Sequence, residues 1–225
     1  IEAWTDAADR VDEKWERAAE MASRFRRGFA RLLEDEADHL VPGASTHELV
    51  VRFLSALPLE TRPRLVTTDG EFHTLRRQLD RLAETGRVEV VKIPALPVVT
   101  LAERLIAALD QRTAAVLVSS VLFGNAHIVP NLGALAAACR RLQAELLVDA
   151  YHHLNVVPFS IARDGLSDAF VVGGGYKYCQ LGEGNAFLRV PPGRDQLFPI
   201  VTGWFSEFAR LTERPPGKVL YGEGI

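Results

Sequence analysis

The sequence predicts a three-layer α/β/α domain built on a mainly parallel sheet of about seven strands, with an antiparallel strand closing the series. Three observations carry this. Short apolar runs that suit buried strands recur at 65–68, 88–93, 114–121, 146–149 and 169–172. Segments with helical spacing or helix-capping residues separate most of them, which is the alternation that builds a parallel sheet covered on both faces. The run from Ala114 to Val121 is nearly continuous in apolar residues, as a strand buried on both sides requires.

The elements follow in order. Residues 5–36 are highly charged, and Val11, Trp15, Ala18, Ala19, Ala22 and Phe25 recur at helical spacing, which predicts one amphipathic helix. It is expected to link residues 1–40 to the domain at 41–225 or to touch a partner subunit; packing of one face on the domain is the plainer reading. Residues 39–42 read as a short strand. Ser45 with Glu48 three positions later is a capping box that opens a helix. The free N–H groups and the positive dipole end of that turn favour an anion.

The strand at 65–68 ends on Asp69-Gly70, and a helix from about 72 to 84 stops before Gly86. After the strand at 88–93, Pro94 and Pro97 delay the next helix. Thr100 and Glu103 then cap it, and it runs to about residue 110. The strand at 114–121 leads into the loop Leu122-Phe123-Gly124-Asn125-Ala126-His127. Asn131 is expected to cap an alanine-rich helix to about residue 142. Residues 154–167 read as irregular. Gly182-Glu183-Gly184-Asn185 is a turn, and 186–190 returns as a strand antiparallel to 169–172 because the connection is short.

Composition narrows the function classes. The 225 residues are 48% hydrophobic and 24% charged, ordinary for a globular protein. A formal charge of −3 leaves no basic footprint for nucleic acid. No apolar run approaches the roughly 20 residues of a membrane span, and the first residues lack a signal-peptide core. Two cysteines, Cys139 and Cys179, without metal-ligand spacing fit a reducing compartment, so a cytoplasmic protein without a metal is expected. The chain starts at Ile1 and stops at 222–225 without closing an element, as expected of one large domain cut from a longer protein.

The chemistry centres on two strand ends. The strand at 169–172 runs into Gly173-Gly174-Gly175, which lets the backbone turn sharply and come close to whatever lies beyond, and Tyr176-Lys177-Tyr178 follows. The strand at 146–149 ends on Asp149. An amine and a carboxylate at such ends point into the crevice where open α/β sheets bind ligands. They suit a pyridoxal cofactor, with Lys177 as Schiff base and Asp149 paired to the pyridinium nitrogen.

Asp149-Ala150-Tyr151-His152, followed by Gly173-Gly174-Gly175-Tyr176-Lys177-Tyr178, resembles the active-site core of kynureninases, in the class V branch of fold-type I pyridoxal 5'-phosphate (PLP) enzymes. The resemblance runs from about Pro42 to Trp204. It implies that Ser45 and Thr46, with Tyr176, hold the cofactor phosphate, that Trp204 lies near it, and that His152 rather than His153 lies near the cofactor. It places an aromatic over the ring, either Phe72 of the family's Phe-Pro-Thr-Asp motif or His73, since other class V enzymes stack a histidine nearby. Here that motif reads Phe72-His73-Thr74-Leu75, without its Pro and Asp, and Gly203-Trp204 leads to Ser206-Glu207-Phe208 where kynureninases approach a histidine. Ser120 and Asn125 are candidates for polar contacts to substrate, and His127 reads as a loop residue.

The resemblance thus implies an amino-acid substrate, hydrolytic Cβ–Cγ cleavage of a kynurenine-type compound, a small C-terminal domain beyond this chain, and a homodimer. A class V aminotransferase, cysteine desulfurase or lyase, or epimerase would use the same first steps. A catalytically silent binding module would not need Asp149, Tyr176 and Lys177 together. A dinucleotide binder is disfavoured, because no strand-to-helix turn carries Gly-x-Gly-x-x-Gly.

Overall fold

The computed structural model describes residues 1–194, 196–210, 212, 213, 217, 219 and 221. In chain order the helices and strands are α1 (Glu2–Asp9), α2 (Lys14–Leu33), β1 (Leu40–Gly43), α3 (Thr46–Ala56), β2 (Arg64–Thr68), α4 (His73–Glu84), β3 (Glu89–Ile93), α5 (Leu101–Ala107), β4 (Thr113–Ser119), α6 (Leu132–Arg141), β5 (Glu145–Asp149), β6 (Phe170–Gly174) and β7 (Ala186–Arg189). Short 3-10 turns stand at Ala37–His39, Val98–Thr100 and Trp204–Arg210. The chain end at 222–225 lies outside the described residues.

The seven strands form one sheet in the order β1-β7-β6-β5-β4-β2-β3. The pairs from β6 across to β3 are parallel, and β7 is antiparallel to both β6 and β1. The antiparallel strand is therefore the last in the chain, as expected, but lies one in from the sheet edge. Strand alternation sorts the core into two layers. On one face Val116, Val118, Leu146, Val148 and Val171 meet α2, α5 and α6. On the other face Ala115, Leu117, Leu147, Phe170 and Val172 meet α3 and α4. Both faces are covered, so the central parallel strands β4, β5 and β6 read as short apolar runs.

Direction of travel across the sheet matters for the site. From β2 the chain steps outward to β3, then crosses back to β4 and continues to β5 and β6. The reversal lies between β2 and β4, and in open α/β sheets the ligand crevice sits at the carboxyl ends of the strands at that point.

Three details differ from the sequence reading. Thr100 precedes α5 but makes no side-chain cap; its hydroxyl accepts from Arg104 Nε. The expected helix over 5–36 is two helices, broken after Asp9. Val11 is exposed in the break, and only Phe29, Ala30 and Leu33 at the end of α2 are buried, because burial begins where α2 meets β1. Asn131 precedes α6 but makes no side-chain cap; it adopts a left-handed conformation, with φ of 61°. Ser45 does cap α3, accepting from Glu48 N–H, while the Glu48 carboxylate accepts from Ala44 N–H.

The end of α2 is tied to the sheet by Arg189. This guanidinium is buried, pairs with Asp35 at 2.7 Å, and donates to the carbonyls of Ser167 and Ala169. No helix among the described residues is long and apolar enough to cross a membrane.

Candidate active site

The carboxyl ends of β2, β4, β5 and β6 surround one locus. β5 delivers Asp149, whose side chain is buried and whose Oδ1 accepts from Tyr151 N–H at 2.9 Å. Among the described residues no donor reaches Oδ2, so that oxygen is available to a ligand. Burial pushes the Asp149 carboxyl up to about 6, against the opposing pull of the Tyr151 N–H and the Lys177 charge.

Lys177 follows β6 and is half-buried. Its Nζ lies 2.6 Å from Nε2 of His152, 4.6 Å from the Phe72 ring centre and 5.2 Å from that of Tyr151. Burial lowers the amine below the usual lysine range, with Asp149 pulling the other way. His152 is lowered too, by burial and then by the Lys177 charge. An amine of lowered basicity, in hydrogen-bond contact with an imidazole nitrogen, is equipped as a nucleophile toward a carbonyl.

The glycines before Lys177 serve packing more than turning. Gly173 and Gly174 are still strand residues. A Cβ at Gly174 would stand 2.8 Å from a Tyr151 ring carbon and 2.9 Å from the Asn185 carbonyl oxygen. The missing side chain lets Tyr151 lie flat beside the strand, where its hydroxyl accepts from Tyr176 N–H at 3.2 Å.

Aromatic rings form one wall. Phe72 meets His73 at 5.3 Å, Phe123 edge-on at 5.3 Å and His152 at 5.7 Å. Phe72 is the residue of the 72–73 pair whose ring faces Lys177. His73 is exposed, bonds to Arg76, and with His47, Thr74 and Arg77 lines a cleft of about 330 Å³.

The other expected residues are placed differently. Ser120 is buried behind the site, its hydroxyl on the Asp149 carbonyl. Asn125 is exposed and accepts from His127 N–H. Ser45 Oγ is engaged as the α3 cap beside Thr46, and Tyr176 is exposed. Trp204 lies edge-on to Trp15 of α2 at 5.5 Å, with Phe205 tilted against it at 4.3 Å.

No family model matches the sequence. No curated protein matches it either. Solved structures do match, at sequence identities that speak for the fold. One is SspA in complex with cysteine: 17% identical, TM-score 0.72, covering 84% of this chain and 54% of that one. Another is a mutant of C-DES with glycine covalently linked to the PLP cofactor: 18% identical, TM-score 0.75, covering 93% and 55%. A third is DndA from Streptomyces lividans: 22% identical, TM-score 0.70, covering 84% and 53%. The chain spans about half the length of these structures. It shares the fold of these structures over most of its own length.

The residues present fit such a cofactor. The group set combines an amine of lowered basicity, a buried carboxylate with one oxygen open, and the Phe72 ring beside the amine. Three site residues escaped the sequence reading. Tyr151 and Phe123 sit in segments that the sequence reading placed near the site without giving either ring a role, because nothing in a lone aromatic shows which way its ring turns. Glu71 follows Asp69-Gly70, a pattern that reads as an exposed turn, yet its carboxyl is buried. The signal was faint: Thr68, Ser119 and Ser120, polar residues closing otherwise apolar strands.

Proposed function

We propose that this chain is the cofactor-holding part of a PLP-dependent enzyme acting on an amino acid, with carbon–sulfur bond cleavage as the reaction. The observation that carries the first half is the Lys177 amine, lowered by burial, held against His152 and Phe72 with Asp149 beside it. The second half draws support from the neighbours, which include a cystine C–S lyase in complex with its product cysteine persulfide and an apo cysteine desulfurase.

PLP, when bound, supplies an electron sink for charge developing at the substrate α-carbon. The chain's own residues do the rest. Lys177 would hold the cofactor, and its amine could move a proton at the substrate α-carbon. His152 holds or returns that proton at Nε2. Asp149, as an anion, would hold the cofactor's ring nitrogen and favour its protonated form. Phe72 gives a flat apolar surface for the ring, and Ser45, Thr46 and Tyr176 are assigned to the phosphate. Neither cysteine offers a ready thiolate: burial pushes Cys139 up to about 12 and raises Cys179. That favours lyase chemistry over sulfur transfer through a thiol of this chain.

Kynureninase-type cleavage is the second reading, favoured by the Asp149 to His152 and Tyr176-Lys177 pattern. The test uses the purified full-length protein. A visible absorption band is expected, and borohydride reduction with peptide mapping should place the label on Lys177; label on Lys92 would overturn the assignment. Sulfur release from cysteine or cystine, set against release of the aromatic acid from kynurenine, separates the two reactions.

A further inference from the structure

Glu71 stands in the turn between β2 and α4, yet its side chain is buried. Thr68 Oγ1 donates to its Oε1 and Ser119 Oγ to its Oε2, each at 2.6 Å. Those hydroxyls belong to the last residues of β2 and β4, the strands between which the chain reverses direction. Ser119 is the register partner of Asp149 on β5. Glu71 also immediately precedes Phe72, whose ring faces Lys177. The cofactor chemistry above makes no use of this carboxyl.

A residue needed only to tie two strand ends together has no reason to be an acid. Glutamine bridges two hydroxyls equally well without the cost of burying an ionisable group. A carboxyl retained beside Asp149 points to use of its charge. We propose that Glu71 is a positioning residue acting through Asp149: its carboxylate adds negative charge behind the one facing the cofactor nitrogen and sets how firmly a proton is held there. The proposal rests on the PLP reading above.

The groups facing this pair are identifiable. Asp149 acts on Glu71 from β5, and Lys177 acts on Asp149 and on His152 from beyond β6. Asp69, in Glu71's own turn, accepts from Ala95 N–H. Burial pushes Glu71 up to about 7, its two hydroxyl donors pull it back, and the Asp149 charge adds to the rise. Its influence therefore grows as pH passes through neutrality.

The experiment titrates the visible band of the full-length PLP-loaded protein against pH in wild type, Glu71→Gln, Asp149→Asn and the double variant. Glu71→Gln is expected to keep the band and lower its midpoint by about half to one unit, a threefold to tenfold change in proton affinity. In the Asp149→Asn background the same substitution should leave the midpoint unmoved, because the intermediary is gone. Ser119→Ala removes one donor, keeps Glu71 protonated to higher pH and should shift the midpoint the same way, so the test survives a Glu71→Gln that fails to fold. Unchanged midpoints in Glu71→Gln, or equal shifts in both backgrounds, overturn the proposal while leaving the PLP reading intact. A wild-type protein that forms no visible band overturns both.

Discussion

At the scale of single residues, the site is defined by groups whose charge is costly where they stand. Lys177→Ala is expected to abolish the covalently held visible band and leave the fold unaltered, checked by absorbance and circular dichroism. Asp149→Asn should retain the band but lower turnover by about a hundredfold to a thousandfold, because a neutral amide does not favour the protonated ring nitrogen that makes the cofactor an electron sink. Glu71 has a consequence for stability. Its folded value, about 7, lies above the ordinary 4.5. Between those values the unfolded chain releases the proton first, so stability falls as pH rises through the window and levels off above it. The full loss is about 3 kcal/mol. His152 and His153 are lowered by burial and slope the opposite way below about 6.5. The difference between wild type and Glu71→Gln in urea melts across pH 4.5–8 therefore isolates the carboxyl; a flat difference would show that the side chain is solvated.

Elements show where sequence reasoning succeeds and where it stops. The central parallel strands β4, β5 and β6 were legible because they are buried on both faces and read as short apolar runs, whereas β3 at the sheet edge keeps Glu89 and Lys92 exposed. The Ser45 cap was legible because its partner, Glu48, is local in sequence. Asn131 was misread because its favoured cap role and its tolerance of left-handed backbone come from the same short polar side chain. The bracket at Arg189 was invisible, since its partners are the Asp35 carboxylate and two carbonyls distant in sequence. Arg189→Met is expected to cost about 3–5 kcal/mol by stranding the Asp35 charge. Adding Asp35→Leu should recover part of that loss in the same denaturation assay. Gly174→Ala should cost about 1–3 kcal/mol by driving a methyl into Tyr151 and the Asn185 carbonyl, and should displace the ring that lies beside Lys177.

For the whole molecule, the order of strands explains why Lys177 and Asp149 could be expected at one crevice from sequence alone. Lys177 and Asp149 each follow a strand, and the open sheet puts strand ends at one crevice whatever the loops do. What fills the space between them is set by ring orientations that no spacing encodes, so Phe123 and Tyr151 entered only with the coordinates. The site is also open to solvent on one side, where Phe123, Tyr176 and Tyr178 are exposed. Apolar surface beside a reactive carbon calls for a cover that excludes water. A homodimer of the full-length protein is therefore expected by ultracentrifugation at micromolar concentration. Substitutions at Asn125 or Trp204 should weaken dimerisation and cofactor retention together; a fully active monomer would show that one chain closes its own site.

The pairing of β1 with β7 has a further consequence, concerning the time at which the sheet can be finished. Leu40 lies opposite Arg189, so β1 leaves a ribosome well before the strand it pairs with. At about 5–20 residues per second the delay is on the order of ten seconds. During it β1 has no neighbour, while β2 to β6 can already assemble from one another. Two features suit an edge kept waiting: Pro42 withholds an N–H from any stray partner, and the end of α2, made just before β1, contributes Phe29 and Leu33 to the layer that covers Leu40. In pulse-labelled hydrogen exchange during refolding, the β1 and β7 amides should gain protection last and together, after those of β4 and β5.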